Sequence, residues 1–494
     1  MVFWENHWHL KHGQGWRLTA MDRYRSLPIS TGTMLRRRCI AALLGLALAS
    51  CATGEAETGD GSTVIDHVTV LDGRGSNALT DARVLVRDGR IVSVGRSIAP
   101  LPRNAAVTNG QGRFLLPGFI DMHAHLLFPR CSSGDAAPQF DRALSEKALS
   151  RQIDFGITMV RSPATPTVEG LKLRDDLNAG IVRGPRAIAS AELINDASLT
   201  APQLRQVVRD ALPSRPDYFK VYARLKPEQV AVVVDEAHRH RIPVIGHLQR
   251  TTWAQGVELG VDHLAHSVDW SIDDLPANRR AAYTAAIKGD GSFRSRIDWL
   301  EAFDPNGIEQ RQLVAALAHK RVSVDVTLIA YEGKFSKPAD GRFRRNPFLR
   351  AFPELRSDWE RCGDATADWT ADDYRRWQGA KPKLWAWIKR MSDGGVLLVS
   401  GTDLTNEWIA PGEGLHQEFE LLAEAGLTPN QILRMTGANA AEALHRSDVG
   451  IVEAGRRADL VLLSADPRKS ISNTRSIVWV MQGGRIVSRD APKP

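Results

Sequence analysis

The apolar positions of this chain change their period twice. From Val64 to Gly95 they alternate, as Val64-Ile-Asp-His-Val-Thr-Val-Leu, Val84-Leu-Val-Arg and Arg90-Ile-Val-Ser-Val-Gly, with Asp88-Gly89 between the last two runs. Period two puts every second side chain on one face of a strand, and Asp-Gly between two such runs predicts a tight hairpin. The same grammar returns near the other end, in Ala458-Asp-Leu-Val-Leu-Leu, Ile477-Val-Trp-Val-Met, Gly483-Gly484 and Arg485-Ile-Val-Ser. Strands from both ends would then meet in one small β-sandwich domain, 64–116 with 446–490. Between about 117 and 445 the pattern becomes short apolar runs separated by amphipathic stretches. One of these, 227–241, places Val230, Val233, Val234 and Ala237 at helical spacing. Strands are predicted at 119–125, 156–161, 187–190, 218–222, 243–247, 261–266, 322–328 and 396–403. Eight strand–helix units predict an α/β fold, a (β/α)8 TIM barrel over 117–445. The competing doubly wound sheet lacks its dinucleotide signature, since no Gly-x-Gly-x-x-Gly follows a strand. The unit after the seventh strand is overlong. This insert, about 329–395, carries Arg342, Arg344, Arg345 and Arg350 and five tryptophans, from Trp359 to Trp387. It either covers an active site at that end or stands as a helical outgrowth with a solvated basic face.

Charge and the leader alter this picture only at the start of the chain. Residues 1–50 hold seven Lys or Arg against two acids, which accounts for +5 of the net +7. The remainder gives no electrostatic case for nucleic acid. Met34-Leu-Arg-Arg-Arg is followed by an apolar run of about ten residues, too short to cross a ~30 Å hydrocarbon layer as a helix. Leu48-Ala49-Ser50-Cys51 resembles the bacterial lipobox. Residues 34–50 therefore read as a lipoprotein signal peptide and 51–63 as a small, polar tether, with 1–33 an over-extended start. The expected location is the bacterial cell envelope, lipid-anchored and facing the periplasm or exterior. The only membrane contact expected is the lipid on Cys51. Cys131 and Cys362 follow the first and seventh barrel strands and could close a disulfide there in an oxidising compartment.

Polar residues with ligand chemistry gather at the ends of the predicted strands. His123 and His125 share a face of the first, Lys220 ends the fourth, His247 the fifth, His266 the sixth and Asp403 the eighth. His263 is off the period of His266 and is excluded. Active sites of such barrels lie where the strands end. Six buried polar groups there would be costly singly, but a shared metal centre satisfies them together. Imidazole and carboxylate oxygen suit Zn2+ at roughly 2.0–2.2 Å.

From Val64 to Ser488 the chain resembles the amidohydrolase superfamily. The carriers are Pro117-Gly-Phe-Ile-Asp-Met-His-Ala-His, Tyr218-Phe-Lys-Val-Tyr, Val244-Ile-Gly-His, Val261-Asp-His-Leu-Ala-His and Ser400-Gly-Thr-Asp. Gly426-Leu-Thr-Pro-Asn, Thr436-Gly-Ala-Asn-Ala-Ala and Gly455-Arg-Arg-Ala-Asp-Leu-Val-Leu-Leu extend it into the tail. Lys220 looks like the carboxylated lysine of the prolidase-like and imidazolonepropionase-like branches. The resemblance implies one or two Zn2+ ions, the binuclear arrangement favoured, and a carbamate on Lys220. It also implies hydrolysis of an amide-type C–N bond by a metal-activated water, with Asp403 as general base. Tyr222, two residues past Lys220, and Arg224, just beyond the strand, are candidates for substrate contact. The substrate is expected to be a small molecule or short peptide, and a homo-oligomer is left open. Alternatives are a dipeptidase or carboxypeptidase, a lactone or phosphoester hydrolase on the same site, and a non-catalytic binding lipoprotein.

Overall fold

The computed structural model describes residues 62–75, 77–96, 104–131, 139–287, 293–336, 341–362 and 366–493. The expected start at 1–33, the signal peptide, Cys51 and the tether up to residue 61 lie outside them. Ser62 is buried and the first strand begins at Thr63, so the last two residues of that tether belong to the fold.

In chain order the first five strands are β1 (Thr63–Val70), β2 (Leu79–Arg87), β3 (Arg90–Gly95), β4 (Ala106–Asn109) and β5 (Phe114–Pro117). The chain then runs through β6 (Phe119–Asp121), a small antiparallel hairpin of β7 (Phe128–Arg130) and β8 (Gln139–Asp141), and β9 (Ile157–Ser162). Next come β10 (Arg186–Ala189), β11 (Phe219–Val221), β12 (Val244–Gly246), β13 (His263–Ala265), β14 (Ser323–Val326) and β15 (Leu397–Ser400). The last three strands are β16 (Leu460–Leu463), β17 (Ile477–Gln482) and β18 (Arg485–Arg489).

Strands from the two ends of the chain pair in one mixed sheet, in the order β18-β17-β16-β5-β1-β2-β3, with β4 beside β1. The sheet curls on itself. Gly89, in the turn between β2 and β3, has φ +72°, and a Cβ there would stand 3.0 Å from the carbonyl oxygen of Gly483 in the opposite hairpin turn. Its apolar core draws on both ends: Ile65, Val68, Val84 and Ile91 with Leu460, Leu462, Trp479 and Met481. Gly118 hands the chain from this sheet to β6. Its N–H donates to the Asp459 carbonyl at 2.8 Å, and a side chain there would collide with Thr158.

The other strands run parallel in two sets, β10-β9-β6 and β11-β12-β13-β14-β15. Bridges Ser190↔Tyr218 and Ile194↔Val221 join the sets at one edge, and Ala124↔Leu404 joins them at the other. At that second edge the Met122 N–H donates to the Ser400 carbonyl at 2.9 Å, so the pairing returns to where it began. Six of these eight strands fall inside the predicted apolar runs and are shorter, while β9 and β10 keep the predicted length but are displaced by one residue, β9 later and β10 earlier. Helices alternate with them. Helix Pro227–Arg239 shows why: Pro227 opens it where no N–H is needed, and Val230, Val233, Val234 and Ala237 are buried against the strands. Along β11, Phe219 and Val221 join the core shared with the helices, while Tyr218 packs with Ile245 and Ala265 on the opposite, inner face.

The insert forms helices Leu328–Phe335, Pro353–Cys362 and Ala371–Asp393. Its tryptophans are structural. Trp377 donates to the Glu332 carboxylate at 3.0 Å, Trp387 to the Ser267 carbonyl at 3.0 Å, and Trp369 stacks on Phe335 at 5.1 Å. Three of its arginines face outward, Arg342 pairing with Glu420 and Glu424 while Arg345 and Arg350 are exposed; Arg344 packs on the Trp408 ring at 5.0 Å. Cys131 is disulfide-bonded, and the side chain of Cys362 lies outside the described residues. Among the described residues no helix is long and apolar enough to cross a membrane.

Candidate metal centre

At the C-terminal ends of the parallel strands three residues converge most tightly. One ligand atom each from His123, His266 and Asp403 lie within 4.8 Å of one another. His125 joins them, because the alternation of β6 continues past its last paired residue. Nε2 of His123 and Nε2 of His125 each stand 3.3 Å from the Asp403 carboxylate. The His247 ring lies edge-on to His266 at 4.5 Å, and Tyr222 stacks on His247 at 4.2 Å. Lys220, from within β11, is fully buried with its Nζ 5.4 Å from the Tyr222 ring. Arg224 is not part of this group. It is exposed, and lines a separate outer cavity of about 770 Å³.

Backbone geometry brings His266 and Asp403 inward. Both have left-handed backbone, φ 70° and 56°, a conformation that costs a residue with a side chain roughly 1 kcal/mol or more. The turn matters for His266. His263 and Ala265 share the inner face of β13, where His263 meets the Ser323 hydroxyl at 2.8 Å. His266 would point outward in a continuing strand; the left-handed turn aims it at the centre instead. Gly401 completes the arrangement, since a Cβ there would lie 2.6 Å from that of His123.

A second layer of residues, absent from the sequence reading, fixes the imidazoles. Nδ1 of His123 contacts Asp325, Nδ1 of His125 lies 2.9 Å from the Ala164 carbonyl, and Nδ1 of His266 lies 2.8 Å from the Thr327 hydroxyl. With Nδ1–H donating to each acceptor, the lone pair of each Nε2 faces the centre. Asp325 is itself paired with buried Arg161 at 3.1 Å, and Arg161 donates to the Met122 carbonyl at 2.9 Å. Asp121 ties β6 to the eighth strand end by accepting from the Thr402 hydroxyl at 2.7 Å and the Thr402 N–H at 3.0 Å. One signal was available: Asp325 and Thr327 alternate as polar residues at the end of the otherwise apolar seventh run.

Electrostatics follow from burial. Burial holds His247 and His266 well below the usual imidazole range, and His125 below it, so all three favour the neutral form that can bind a metal. Burial also lowers the Lys220 amine to about 8. It would raise Asp403, but His123, His125 and His266 outweigh it and hold the carboxyl well below the ordinary range. The donor set fits a divalent cation. Nε2 of His123 and of His266, Nδ1 of His247, Nζ of Lys220 and one Asp403 oxygen are buried with no hydrogen-bond partner among the described residues. Unpaired polar atoms are rare in protein interiors, and here five of them belong to side chains around one strand-end site.

A chamber of about 40 Å³ adjoins His247, His266 and Asp403. Trp270, Phe293, Tyr331 and Phe335 wall it, and Arg296 and Lys334 reach it from helices Arg294–Ala302 and Leu328–Phe335. Trp270 also lines the outer cavity.

Comparison with known proteins agrees with this geometry. The sequence profile described as the amidohydrolase family matches residues 374–487. An imidazolonepropionase from Streptomyces avermitilis is 24% identical over 455 residues, covering 85% of this chain and 94% of that protein. Among solved structures, a bottromycin amidohydrolase superposes with a TM-score of 0.65 at 22% identity, covering 87% of each chain. An Xaa-Pro dipeptidase with methionine in its active site superposes at 0.62 and 16% identity, covering 86% of this chain and 99% of that one. The profile, the imidazolonepropionase relatives and the prolidase-like structures together support membership of the amidohydrolase superfamily. The chain is a metal-dependent hydrolase of carbon–nitrogen bonds, and the family generally uses a divalent cation. The matches do not favour the lactone, phosphoester or binding-lipoprotein alternatives.

Proposed function

We propose that the eight parallel strands form a (β/α)8 TIM barrel with the curled sheet as its β-sandwich companion, and that the strand ends hold zinc for hydrolysis of an amide in a small molecule or short peptide. His123, His125, His247, His266, Asp403 and Lys220 are the proposed ligands, Lys220 as a carbamate made from its neutral amine and CO2. The observation that carries this reading is the gathering of five buried, unpaired donor atoms at or near the ends of five separate strands. Bound there, Zn2+ would lower the pKa of a water and polarise the scissile carbonyl.

The chain's own residues do the rest. Asp403 stays ionised because three imidazoles surround it, so its carboxylate can take the proton of the attacking water and return it to the leaving nitrogen. Asp325, Thr327 and the Ala164 carbonyl hold the imidazoles in one tautomer through the cycle. Tyr222 stacks on His247 and orients it, and the aromatic walls keep bulk water from the reacting bond. Arg224, at the mouth of the outer cavity, is proposed to meet the distal part of a substrate. A binuclear centre is favoured because His123, His125, His247, His266, Asp403 and a carbamate on Lys220 would offer more donors than the four that one tetrahedral zinc takes.

Elemental analysis and a hydrolysis screen test the proposal. Wild type purified with zinc should hold about two ions per chain and cleave at least one of a panel of N-acyl amino acids, dipeptides and cyclic amides. Lys220→Ala should lose most of both. Full metal content and full activity in that variant would overturn the carbamate assignment. The envelope location is proposed on Met34-Leu-Arg-Arg-Arg, the short apolar run and Cys51. Radiolabelled palmitate should enter the wild type and not Cys51→Ser.

A further inference from the structure

Two cations in the chamber stand without counter-ions. Lys334 is 6% exposed, yet among the described residues its ammonium forms no ion pair or hydrogen bond and lies 5.6 Å from the Phe293 ring. The Arg296 guanidinium is 4.9 Å from the Trp270 ring, and it too has no acidic partner among the described residues. Other basic groups nearby are satisfied. Lys381 pairs with Glu332 at 2.9 Å, Arg376 with Asp298 and Glu301, and Arg294 with Asp368 and Asp373. A buried cation without a counter-ion works against folding, and one held among aromatic walls attracts an anion far more strongly than one in water. Both open on the same chamber as His247, His266 and Asp403.

We propose that Arg296 and Lys334 form an anion subsite for a substrate carboxylate, so that the preferred substrates are N-acyl amino acids or peptides with a free C-terminal carboxylate. This deepens the hydrolase reading above and rests on it. Arg296 supplies a planar fork of donors that matches the two carboxylate oxygens, and Lys334 supplies a compact charge from the facing helix. The subsite belongs to helices between the sixth and seventh strand ends and just after the seventh. The basic run of the insert does not line this chamber: Arg342, Arg345 and Arg350 face solvent or surface acids, and Arg344 packs on Trp408 and bonds to Thr366.

Calorimetry with the full chain, zinc-loaded and metal-free, tests this. N-acetyl-leucine should bind wild type about tenfold to a hundredfold more tightly than its primary amide. Arg296→Gln and Lys334→Met should each remove most of that preference and leave binding of the amide unchanged. Arg296→Lys and Lys334→Arg should keep part of it, which separates lost charge from lost fold. Lys334→Met should also melt higher than wild type without ligand, because it removes a buried unpaired charge. Equal binding of acid and amide by wild type would overturn the subsite, as would equal loss of both in the variants. Inorganic phosphate binding as tightly as N-acetyl-leucine would overturn the substrate assignment in favour of a free-anion site. Carboxylate-selective binding without hydrolysis of any carboxylate substrate would support the subsite and count against the hydrolase reading alone.

Discussion

The floor and the roof of the chamber are built on opposite terms. The floor consists of strand-end residues that compensate one another: His123 with Asp325, Asp325 with Arg161, His266 with Thr327, and Asp403 among three imidazoles. Its unpaired atoms line one site, so bound divalent cations would satisfy them together. The roof consists of helical side chains on aromatic supports, and among the described residues its two cations have no acidic partner. A site that binds a cation below and an anion above holds a polarised substrate by both ends. The difference teaches where each kind of precision comes from. Strand ends, fixed by the ladder, set the chemistry, while helices and their packing set what is admitted.

Perturbing the two surfaces should give effects of descending size. Asp403→Asn removes the proposed proton acceptor of the floor and should lower kcat by on the order of 10³–10⁴, with the fold intact by circular dichroism. Asp325→Asn strands buried Arg161 and should destabilise the metal-free protein by about 3–5 kcal/mol in urea unfolding. The same change should weaken zinc about tenfold to a hundredfold, measured by competition with a chelator. A merely local effect, with wild-type stability, would show that the floor is not one connected network.

The next effect is pH-dependent. Burial lowers Lys220 from an ordinary 10.5 to about 8. Between those values the unfolded chain binds more protons than the folded one, so metal-free stability should rise with pH from 8 to 10. Below 8 the penalty for the buried charge stands in full. The change should total roughly 3 kcal/mol and vanish in Lys220→Met. In the roof, Trp377→Phe loses the bond to Glu332 and should cost about 1 kcal/mol. Arg345→Gln and Arg350→Gln should change stability by no more than about 0.5 kcal/mol and leave kcat/KM unchanged. A large loss of activity in either would place the outer face of the insert in substrate recognition.

Much of the floor was legible before the structure because strand chemistry is local. An apolar run ending in a polar residue marks both the strand and its exit, so His123, His125, Lys220, His247, His266 and Asp403 could be picked out one by one. Period alone misleads at His263: it takes His266 to keep the strand alternation, whereas His266 turns inward through a left-handed backbone that no periodicity reveals. Asp325 and Thr327 were in view but looked like interruptions of an apolar run. Their meaning comes from His123 and His266, some 60 to 200 residues away in sequence. Charge density in the insert points to arginines of which three are solvated and Arg344 is packed on Trp408, while Arg296 and Lys334 are single residues of two unremarkable helices.

The sequence by itself determined the alternation of strands and helices, the meeting of both chain ends in one sheet, and which polar residues stand at strand exits. Those properties follow from period, turn chemistry and the cost of burying a polar group, all of which act over a few residues. Only the tertiary structure decided which lone pairs face the centre, which acids hold the histidines, and which cations are left without partners. Each of those depends on distance between segments far apart in the chain, and a buried charge is satisfied or stranded only by what folding places beside it.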